Sequence, residues 1–305
     1  MLQKSQDYLG AFEAFSFKKK TVLLSKKINL TGFNMLFSFF VLLLLGALLL
    51  VFIVFRIIEP TYMMVFNKPL YLYFYLFPKK ITFGQKQILA NEFPFFGKLS
   101  DRKKIYFEHR VKEFINHYQF IGKEELLVTD EMKIVIAGTY TMLTFGMRDY
   151  LIDLFKTIII YPSVYFSNAN QQYHKGEFNP IMKVVAFSWE DFVLGHKTTN
   201  DNLNLGLHEF SHVLHLFCIR SNTPSAIIFF DEFNKVVAYY KDENLNKKLL
   251  ESGYFREYAY ENQFEFISVV LEHFFETPQI FKSNYPEFYK NVSSMINFDE
   301  NNFVD

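Results

Sequence analysis

The segment H-E-F-S-H, residues 208–212, contains residue types from which a zinc site can be built. In a helix, His208 and His212 lie on one face one turn apart, so both rings can bind one Zn²⁺ at about 2.0–2.1 Å. Glu209 then lies beside the metal, where its carboxylate can accept a proton from water. Because the motif also arises by chance, a functional interpretation requires further parts of such a site elsewhere in the chain.

A catalytic zinc site uses three protein ligands and leaves a fourth position for water. Possible third ligands follow the motif in the chain, and they are His215, Glu257, Glu261, Glu265, Glu272 and His273. His215 lies on the same helix as His212, where its reach to the metal is awkward, so a core position or a contact with a ligand is favoured. Residues 261–276 predict an amphipathic helix that puts Glu265 and Glu272 on one face, two turns apart. One could bind the metal and the other a ligating histidine, and the spacing does not choose between them.

The elements that would position these residues form an α+β pattern from about residue 81 onward. Residues 205–218 predict the helix that carries the motif, and a polar loop over residues 198–204 precedes it. β-branched and aromatic residues predict strands over residues 156–161 and 183–189. Periodic apolar positions and capping residues predict further helices, over residues 102–118, 132–140, 225–240 and 261–276.

The composition is compatible with a globular core and argues against a nucleic-acid partner. Of the residues, 50% are hydrophobic and 19% are aromatic, with 39 Phe, which is ample for a core. Lys and Arg together number 32, as do Asp and Glu, so the net charge is zero and no basic surface for nucleic acid is indicated. Cys218 is the single cysteine, which excludes an internal disulfide and a zinc site built from several cysteines.

One uncharged stretch in the N-terminal part of the sequence is long enough to cross a lipid bilayer. No charged residue occurs from Ile28 to Phe55, and the 21 residues Met35–Phe55 would span about 30 Å as a helix. We therefore expect a single-pass membrane protein with the bilayer as a partner. Five lysines precede the stretch, and the positive-inside rule then places the N-terminus in the cytoplasm and the C-terminal domain on the opposite side.

The expected domain layout has four parts. A basic N-terminal tail without a fold of its own covers residues 1–32, and the transmembrane helix covers residues 33–58. A juxtamembrane linker covers residues 59–80, and the globular domain covers residues 81–305. Within the linker, the aromatic segment Leu70–Phe77 (LYLYFYLF) is too short to span a bilayer, and it could be either an interfacial segment or a strand.

Several segments of the chain occur in the same order as in a known family. They are Pro94–Leu99 (PFFGKL), Leu127–Ala137 (LVTDEMKIVIA), Ile160–Pro162 (IYP), Phe187–Trp189 (FSW), the H-E-F-S-H motif and Tyr258–Phe275 (YAYENQFEFISVVLEHFF). In these segments the chain from about Phe93 onward resembles the MtfA-type zinc-dependent peptidases, a gluzincin-like family. The resemblance implies an α+β fold: a zincin-like metallopeptidase domain with a mostly helical body and a small sheet, here preceded by one transmembrane helix.

Carried over position by position, the resemblance implies a complete catalytic site. It makes His208 and His212 metal ligands and adds Glu265 as the third ligand of Zn²⁺. Glu209 becomes the general base. Tyr258 matches the catalytic tyrosine of the family, whose hydroxyl would donate a hydrogen bond to the oxyanion of the tetrahedral intermediate.

The remaining positions contain one further candidate and two departures from the family pattern. Glu272 is the candidate partner of a ligating histidine. Family members usually carry Asp three residues after the second histidine, where this chain has His215. The Pro-Ala pair that precedes the third ligand in familiar members is Gln263–Phe264 here.

Together these features predict a membrane-anchored, zinc-dependent peptidase that hydrolyses peptide bonds in peptide or protein substrates. The alternative is a membrane-anchored binding or regulatory protein with a structural zinc site, in which His215 or a second carboxylate closes the fourth coordination position. The strand over residues 183–189 lies just before the helix over residues 205–218, which carries the candidate ligands and which we call the metal helix. We expect this strand to be an edge strand that pairs with the substrate backbone.

Overall fold

The computed structural model describes residues 2–167, 171–198 and 200–303, and within residues 2–16 and 25–32 it describes the backbone alone. By its internal contacts the chain divides into two units, Met1–Thr61 and Tyr62–Asp305. The predicted domain boundaries, after residues 32, 58 and 80, stay predictions.

The first unit is helical. Helix α1 (Leu2–Ile53) leads through a π-helical turn, Val54–Ile58, into α2 (Glu59–Phe66). The stretch from Phe33 to Phe66 has 34 residues and a mean hydropathy that reaches 3.1, so it is long and apolar enough to cross a membrane. Among the described residues, no other single helix meets both conditions. Residues 2–32, expected to lack a fold of their own, are part of α1, because they contain no proline that would stop the helix.

The second unit is mostly helical with a small sheet, which confirms the predicted fold class. Its helices are α3 (Phe83–Glu92), α4 (Pro94–Lys98), α5 (Asp101–His117), α6 (Asp130–Leu143), α7 (Trp189–Lys197), α8 (Leu205–Arg220), α9 (Pro224–Lys241), α10 (Glu243–Ser252), α11 (Gln263–Glu276), α12 (Pro278–Asn284) and α13 (Pro286–Met295). Short 3-10 turns cover Glu257–Tyr260 and Glu300–Asn302. The five helices predicted from the sequence are present as α5, α6, α8, α9 and α11.

The strands are β1 (Gln119–Gly122), β2 (Thr157–Tyr161), β3 (Tyr165–Ser167), β4 (Gln172–His174), β5 (Gly176–Asn179) and β6 (Val184–Ser188). Four of them form one sheet in the order β1-β2-β6-β5. β1, β2 and β6 run parallel, whereas β5 pairs antiparallel with β6 at the edge. β3 and β4 form a separate antiparallel pair.

The expectation that the strand before the metal helix lies at the edge of the sheet is wrong. β6 is hydrogen-bonded on both sides, to β2 and to β5, so its backbone is not free to pair with a substrate. Its sequence is consistent with this position, since V-V-A-F is almost wholly buried and interior strands are apolar on both faces. The edge next to the metal helix is formed by β5 instead.

The aromatic core fixes the metal helix against the sheet. Phe210, the central residue of the H-E-F-S-H motif, is fully buried. Its ring centroid lies 5.0–6.3 Å from those of four other rings, which are Phe114, Tyr140, Phe155 and Phe187. Burial of one such side chain contributes about 1.5–3 kcal/mol, so Phe210, on the inner face of the helix, stabilises the packing of the helix that carries the candidate ligands.

The segment Leu70–Phe77, which we call the aromatic strip, belongs to the second unit and forms neither a strand nor a helix. Two of its tyrosines point into the domain. The hydroxyl of Tyr73 donates to the carbonyl oxygen of Phe145 at 2.8 Å, and Nε of Arg110 donates to the hydroxyl of Tyr75 at 2.8 Å. These two contacts fix the strip on the surface of the domain.

Gly206, on the first turn of the metal helix, tests how closely that helix is packed. A Cβ at this position would lie 2.7 Å from the ring of Phe192, so Gly206→Ala should lower the free energy of unfolding by about 1–3 kcal/mol. Gly84→Ala in α3 is the matched control, because nothing lies within 4 Å of its added Cβ, and it should leave stability unchanged or raise it. Thermal unfolding of the two variants decides, and equal melting temperatures would contradict the packing described here.

Candidate metal centre

Helices α8 and α11 bring the candidate ligands together, and each begins with an asparagine cap. The side chain of Asn204 accepts from the backbone N–H of Leu207 at 3.0 Å. The side chain of Asn262 accepts from the backbone N–H groups of Phe264 and Glu265 at 2.9 and 3.1 Å. Both caps satisfy amides that the helix itself leaves free, so they fix where the first turns begin. Glu265 lies on the capped first turn of α11 and faces the histidines of α8.

Three donor atoms converge between the two helices. Oε2 of Glu265 lies 3.0 Å from Nε2 of His208 and 3.5 Å from Nε2 of His212. The donor atoms of the three side chains all lie within 4.8 Å of one another. Tetrahedral zinc with bonds of about 2.0–2.2 Å holds its ligand atoms roughly 3.3–3.6 Å apart. Oε2 of Glu265 is also buried and accepts no hydrogen bond. An orphaned carboxylate oxygen between two imidazole nitrogens fits a zinc ion.

The ring of His208 is oriented by Glu272. Its Nδ1 lies 2.7 Å from Oε1 of Glu272, and because a carboxylate can only accept, Nδ1 must be the protonated nitrogen. Nε2 is therefore the nitrogen that points toward Glu265, and it is the one that can give up its proton to bind a metal. Glu272 is 1% exposed, and its charge is compensated by Arg256, whose Nη1 and Nη2 donate at 3.0 and 2.8 Å, and by the backbone N–H of Asn204 at 3.1 Å.

The ring of His212 has a weaker partner. Its Nδ1 lies 3.3 Å from Oγ of Ser268, and that hydroxyl donates to the carbonyl oxygen of Phe264 at 3.2 Å. Since the hydroxyl proton is used in this way, Oγ is left to accept from Nδ1. The Nε2 atom of His212 is then the nitrogen that is free to bind a metal, on the same side as Nε2 of His208.

The carboxylates make this place favourable for a positive charge. Burial lowers the pKa of His208, but the contacts with Glu265 and Glu272 outweigh it and raise the pKa to about 10. Burial raises the pKa of Glu265, but the two histidines outweigh it and hold the pKa of that carboxyl well below its usual range. A proton and a metal ion compete for the same nitrogen, Nε2 of His208, so zinc binding between these side chains should release a proton.

Glu209 lies beside the three donors and is almost fully buried. Burial raises its pKa, while His208 and His212 act in the opposite direction. Gly176 of β5 passes directly over it, since a Cβ at that position would lie 2.7 Å from Oε1 of Glu209. The edge strand can approach the carboxylate this closely because residue 176 has no side chain.

Tyr258 lies at the rim of the same place and is 41% exposed. Its ring centroid is 5.8 Å from that of His208, and the guanidinium of Arg256 lies 5.8 Å from its ring centre. Burial and the carboxylate of Glu265, which is within hydrogen-bonding reach of the hydroxyl, raise the pKa of Tyr258. The hydroxyl therefore keeps its proton and is able to donate it in a hydrogen bond.

The other candidate ligands lie away from the donors. His215 is 1% exposed and packs on Phe233 and Phe264, with ring centroids 4.4 and 4.8 Å away. Neither of its nitrogens has a hydrogen-bond partner, and burial lowers its pKa to about 4. It is thus a neutral core residue. Glu257 and Glu261 are exposed, and His273 is buried against Tyr254 and Phe255.

A cleft of about 400 Å³ opens beside the donor atoms. Its walls include His208, Glu209 and Tyr258, together with Lys175 and Gly176 at the β5 edge. This volume lies within the range that holds small ligands or part of a peptide, and it gives a substrate access to the candidate catalytic groups.

Comparison with known proteins identifies the family. Residues 76–296 match the sequence profile of the family described as Glucose-regulated metallo-peptidase M90. The chain belongs to this family. It is also 24% identical, over 239 residues, to the uncharacterised protein slr2042 of Synechocystis sp. (strain ATCC 27184 / PCC 6803 / Kazusa), and this alignment covers 70% of the chain and 84% of the relative. Membership of the family confirms the resemblance on which the expected fold and metallopeptidase class were based.

Three residues of this centre were not anticipated from the sequence: Arg256, Ser268 and Gly176. Arg256 and Ser268 act through contacts with residues far away in the chain, and no local spacing predicts such contacts. Gly176 could have been suspected, because a glycine inside a strand often marks a close backbone approach.

Metal content distinguishes the roles of the two carboxylates on α11. Glu265→Gln replaces the carboxylate that lies between the two imidazole nitrogens by a neutral amide. Glu272→Gln keeps a hydrogen-bond acceptor for His208 and should lower zinc affinity only by about 10–100-fold. We therefore expect less zinc in Glu265→Gln than in Glu272→Gln after dialysis against a competing chelator. The exposed Glu261→Gln is the control and should retain zinc like the unmodified chain. The reverse order of the first two would overturn the choice of Glu265 as ligand.

Glu276, the last residue of α11, gives a pH-dependent test of the same region. It lines a second cavity, of about 420 Å³, which shares Asn204 with the cleft. Burial raises the pKa of Glu276 to about 8, more than the nearby Asn204 amide lowers it. Between the ordinary pKa of a glutamate, about 4.3, and this value, the folded chain binds one proton more than the unfolded chain, so this group lowers stability as pH rises through that interval.

Glu276→Gln cannot ionise and should remove this loss of stability. We expect its melting temperature to rise relative to that of the unmodified chain as the pH goes from 5 toward 8.5, by about 2–4 °C for each kcal/mol gained. The exposed Glu251→Gln, with the same chemical change, should show a constant difference. A constant difference for Glu276→Gln as well would contradict a proton-bound, buried Glu276.

Proposed function

We propose that the chain is a membrane-anchored, zinc-dependent peptidase in which His208, His212 and Glu265 hold Zn²⁺. The observation that carries this proposal is the convergence of two imidazole nitrogens, of His208 and His212, on a buried carboxylate oxygen of Glu265. The carboxylate of Glu209 lies next to these three donor atoms. Membership of a metallopeptidase family supports the reaction class.

The proposed mechanism assigns separate roles to the surrounding side chains. A zinc ion held by His208, His212 and Glu265 would act as a Lewis acid, which would lower the pKa of a bound water and polarise the scissile carbonyl. Glu209 accepts the proton of the attacking water and passes it to the leaving amine. The hydroxyl of Tyr258 donates a hydrogen bond to the oxyanion that develops on the former carbonyl. Glu272 and Ser268 hold the two histidine rings in position through their Nδ1 atoms.

The alternative, a structural zinc site without peptidase activity, needs a fourth protein ligand. Among the described residues, the group of side chains close enough to share a metal consists of His208, His212 and Glu265. His215 lies in the aromatic core, and Glu272 is engaged at Nδ1 of His208 rather than near its Nε2. These positions favour an open fourth position and hence the catalytic alternative.

The substrate backbone is proposed to pair with β5 by strand addition. This strand is the edge of the sheet, and Gly176 at its start lies against Glu209. Main-chain hydrogen bonds along such an edge hold a peptide extended, whatever its sequence. A peptide in this position passes the general base within a few ångströms.

For the cellular arrangement we propose a single-pass anchor with the catalytic domain over residues 81–305, a basic N-terminal segment and a juxtamembrane linker. The apolar helix Phe33–Phe66 supports the anchor, and the lysines before it favour a cytoplasmic N-terminus. Digestion of intact cells with an external protease would show whether the domain lies on the opposite side.

Glu209→Gln tests the chemistry directly, because it removes the base and leaves the ligands in place. Zinc content should be unchanged, while cleavage of an unstructured peptide should fall by at least about 10²–10⁴-fold. Tyr258→Phe should also keep zinc and should lower kcat by about 10²–10³-fold with a smaller effect on KM. Undiminished cleavage by a zinc-loaded Glu209→Gln variant would refute the role of Glu209 as general base. Zinc-loaded unmodified chain that cleaves no peptide would favour the structural alternative.

A further inference from the structure

The aromatic strip Leu70–Phe77 exposes large apolar side chains that the domain does not cover. Tyr73 and Tyr75 are held inside by hydrogen bonds, whereas three apolar side chains near them are exposed. Phe74 is 73% exposed, Leu76 is 74% exposed and Phe77 is 90% exposed. Together these three expose on the order of 400 Å² of apolar surface, which is the size at which a patch on a monomer usually marks an interaction site.

Contacts with the domain hold the strip in the position that exposes these side chains. The ring of Tyr73 stacks on that of Tyr106, with centroids 4.9 Å apart. At the end of the strip, the backbone N–H of Lys79 donates to Nδ1 of His109 at 2.9 Å. Contacts in the middle of the strip and just beyond its end thus hold the backbone in place, in a position that leaves the three apolar side chains exposed to solvent.

The charged residues that flank the strip in the sequence are all positive. No Asp or Glu occurs between Glu59 and Glu92, whereas Lys68, Lys79, Lys80 and Lys86 all do. Lys79 and Lys86 also form ion pairs within the domain, with Glu113 and Glu108. Exposed apolar side chains flanked by lysines match the interface of a bilayer that contains anionic lipid, where apolar groups enter the acyl boundary and lysines meet the headgroups.

The position of the strip in the chain points to the same partner. It begins four residues after Phe66, where the apolar helix Phe33–Phe66 ends. A chain extends by at most about 3.6 Å per residue, so Phe74 can be no more than roughly 30 Å from the end of that helix. Because the apolar helix would hold the strip this close to the bilayer, the effective concentration of the strip at the membrane would be high, and even a weak contact with lipid would form.

We propose that the aromatic strip is a second membrane contact, at which Phe74, Leu76 and Phe77 insert into the interface of the bilayer. The proposal rests on the membrane anchor of the proposed function, and not on its catalytic step. A helical tether alone would leave the domain free to tumble beside the membrane. A second contact removes this freedom and gives the domain one orientation relative to the lipid surface.

Depth-dependent fluorescence quenching in reconstituted vesicles tests this proposal on the full chain. Tryptophan is introduced one position at a time, as Phe77→Trp in the strip, Leu44→Trp in the apolar helix and Ile181→Trp at a 94% exposed position elsewhere on the domain. The chains are placed in phosphatidylcholine–phosphatidylserine vesicles with or without bromine on the acyl chains. The signal of the native Trp189, measured in the unmodified chain, is subtracted.

The expected result is that Phe77→Trp and Leu44→Trp each lose about half of their added fluorescence in brominated vesicles, whereas Ile181→Trp loses none. Quenching of Leu44→Trp without quenching of Phe77→Trp would overturn the second contact and leave the anchor intact. Quenching of neither would overturn both. Equal quenching of Phe77→Trp and Ile181→Trp would also overturn the proposal, since the contact would then not be specific to the strip.

Discussion

The candidate site depends on the hydrogen bond between Nδ1 of His208 and the buried carboxylate of Glu272. This bond determines which ring nitrogen is free, and it holds the ring in the one orientation in which that nitrogen meets Glu265. A carboxylate as deeply buried as Glu272 would be costly alone, and Arg256 and the backbone of Asn204 offset that cost. The interaction therefore joins α8, the loop before it, α11 and the turn before α11. The same contacts that hold these four segments together therefore also position the donor atoms.

The helical part of the site could be predicted because helical spacing has one geometric meaning. Residues four apart, such as His208 and His212, must share a face, and so must Glu265 and Glu272 at seven apart. The spacing could not tell which glutamate meets the metal. That depends on how α11 crosses α8, which puts its capped first turn, with Glu265, next to the Nε2 atoms and leaves the second glutamate at Nδ1. The residues alone left this choice open, and the family resemblance predicted Glu265.

The sheet was harder to predict because strand order is a long-range property. The apolar sequence of β6 correctly indicated a strand, but it did not indicate the neighbours of that strand. On one side β6 pairs with β2, which is distant in sequence, and on the other with β5, a short segment that was not predicted to be a strand. The segment β5, G-E-F-N at residues 176–179, is too short for an alternation of apolar and polar residues to identify it as a strand. Yet its glycine determines how closely the edge approaches Glu209. By excluding water from that carboxylate, the strand contributes to the burial that raises its pKa.

Aromatic composition alone does not distinguish a core residue from a membrane contact, and the polar ends of the tyrosines explain why. Phe210 and Phe77 are the same side chain, one fully buried and the other 90% exposed. In the strip, Tyr73 and Tyr75 each have a hydroxyl that finds a partner inside the domain. Phe74 and Leu76, which follow the two tyrosines, are exposed, and so is Phe77. Within the strip, a partner for the hydroxyl holds a tyrosine ring inside the domain, whereas Phe210 is buried because four other rings surround it. The position of an aromatic residue thus depends on its partners in the fold and not on its hydrophobicity alone.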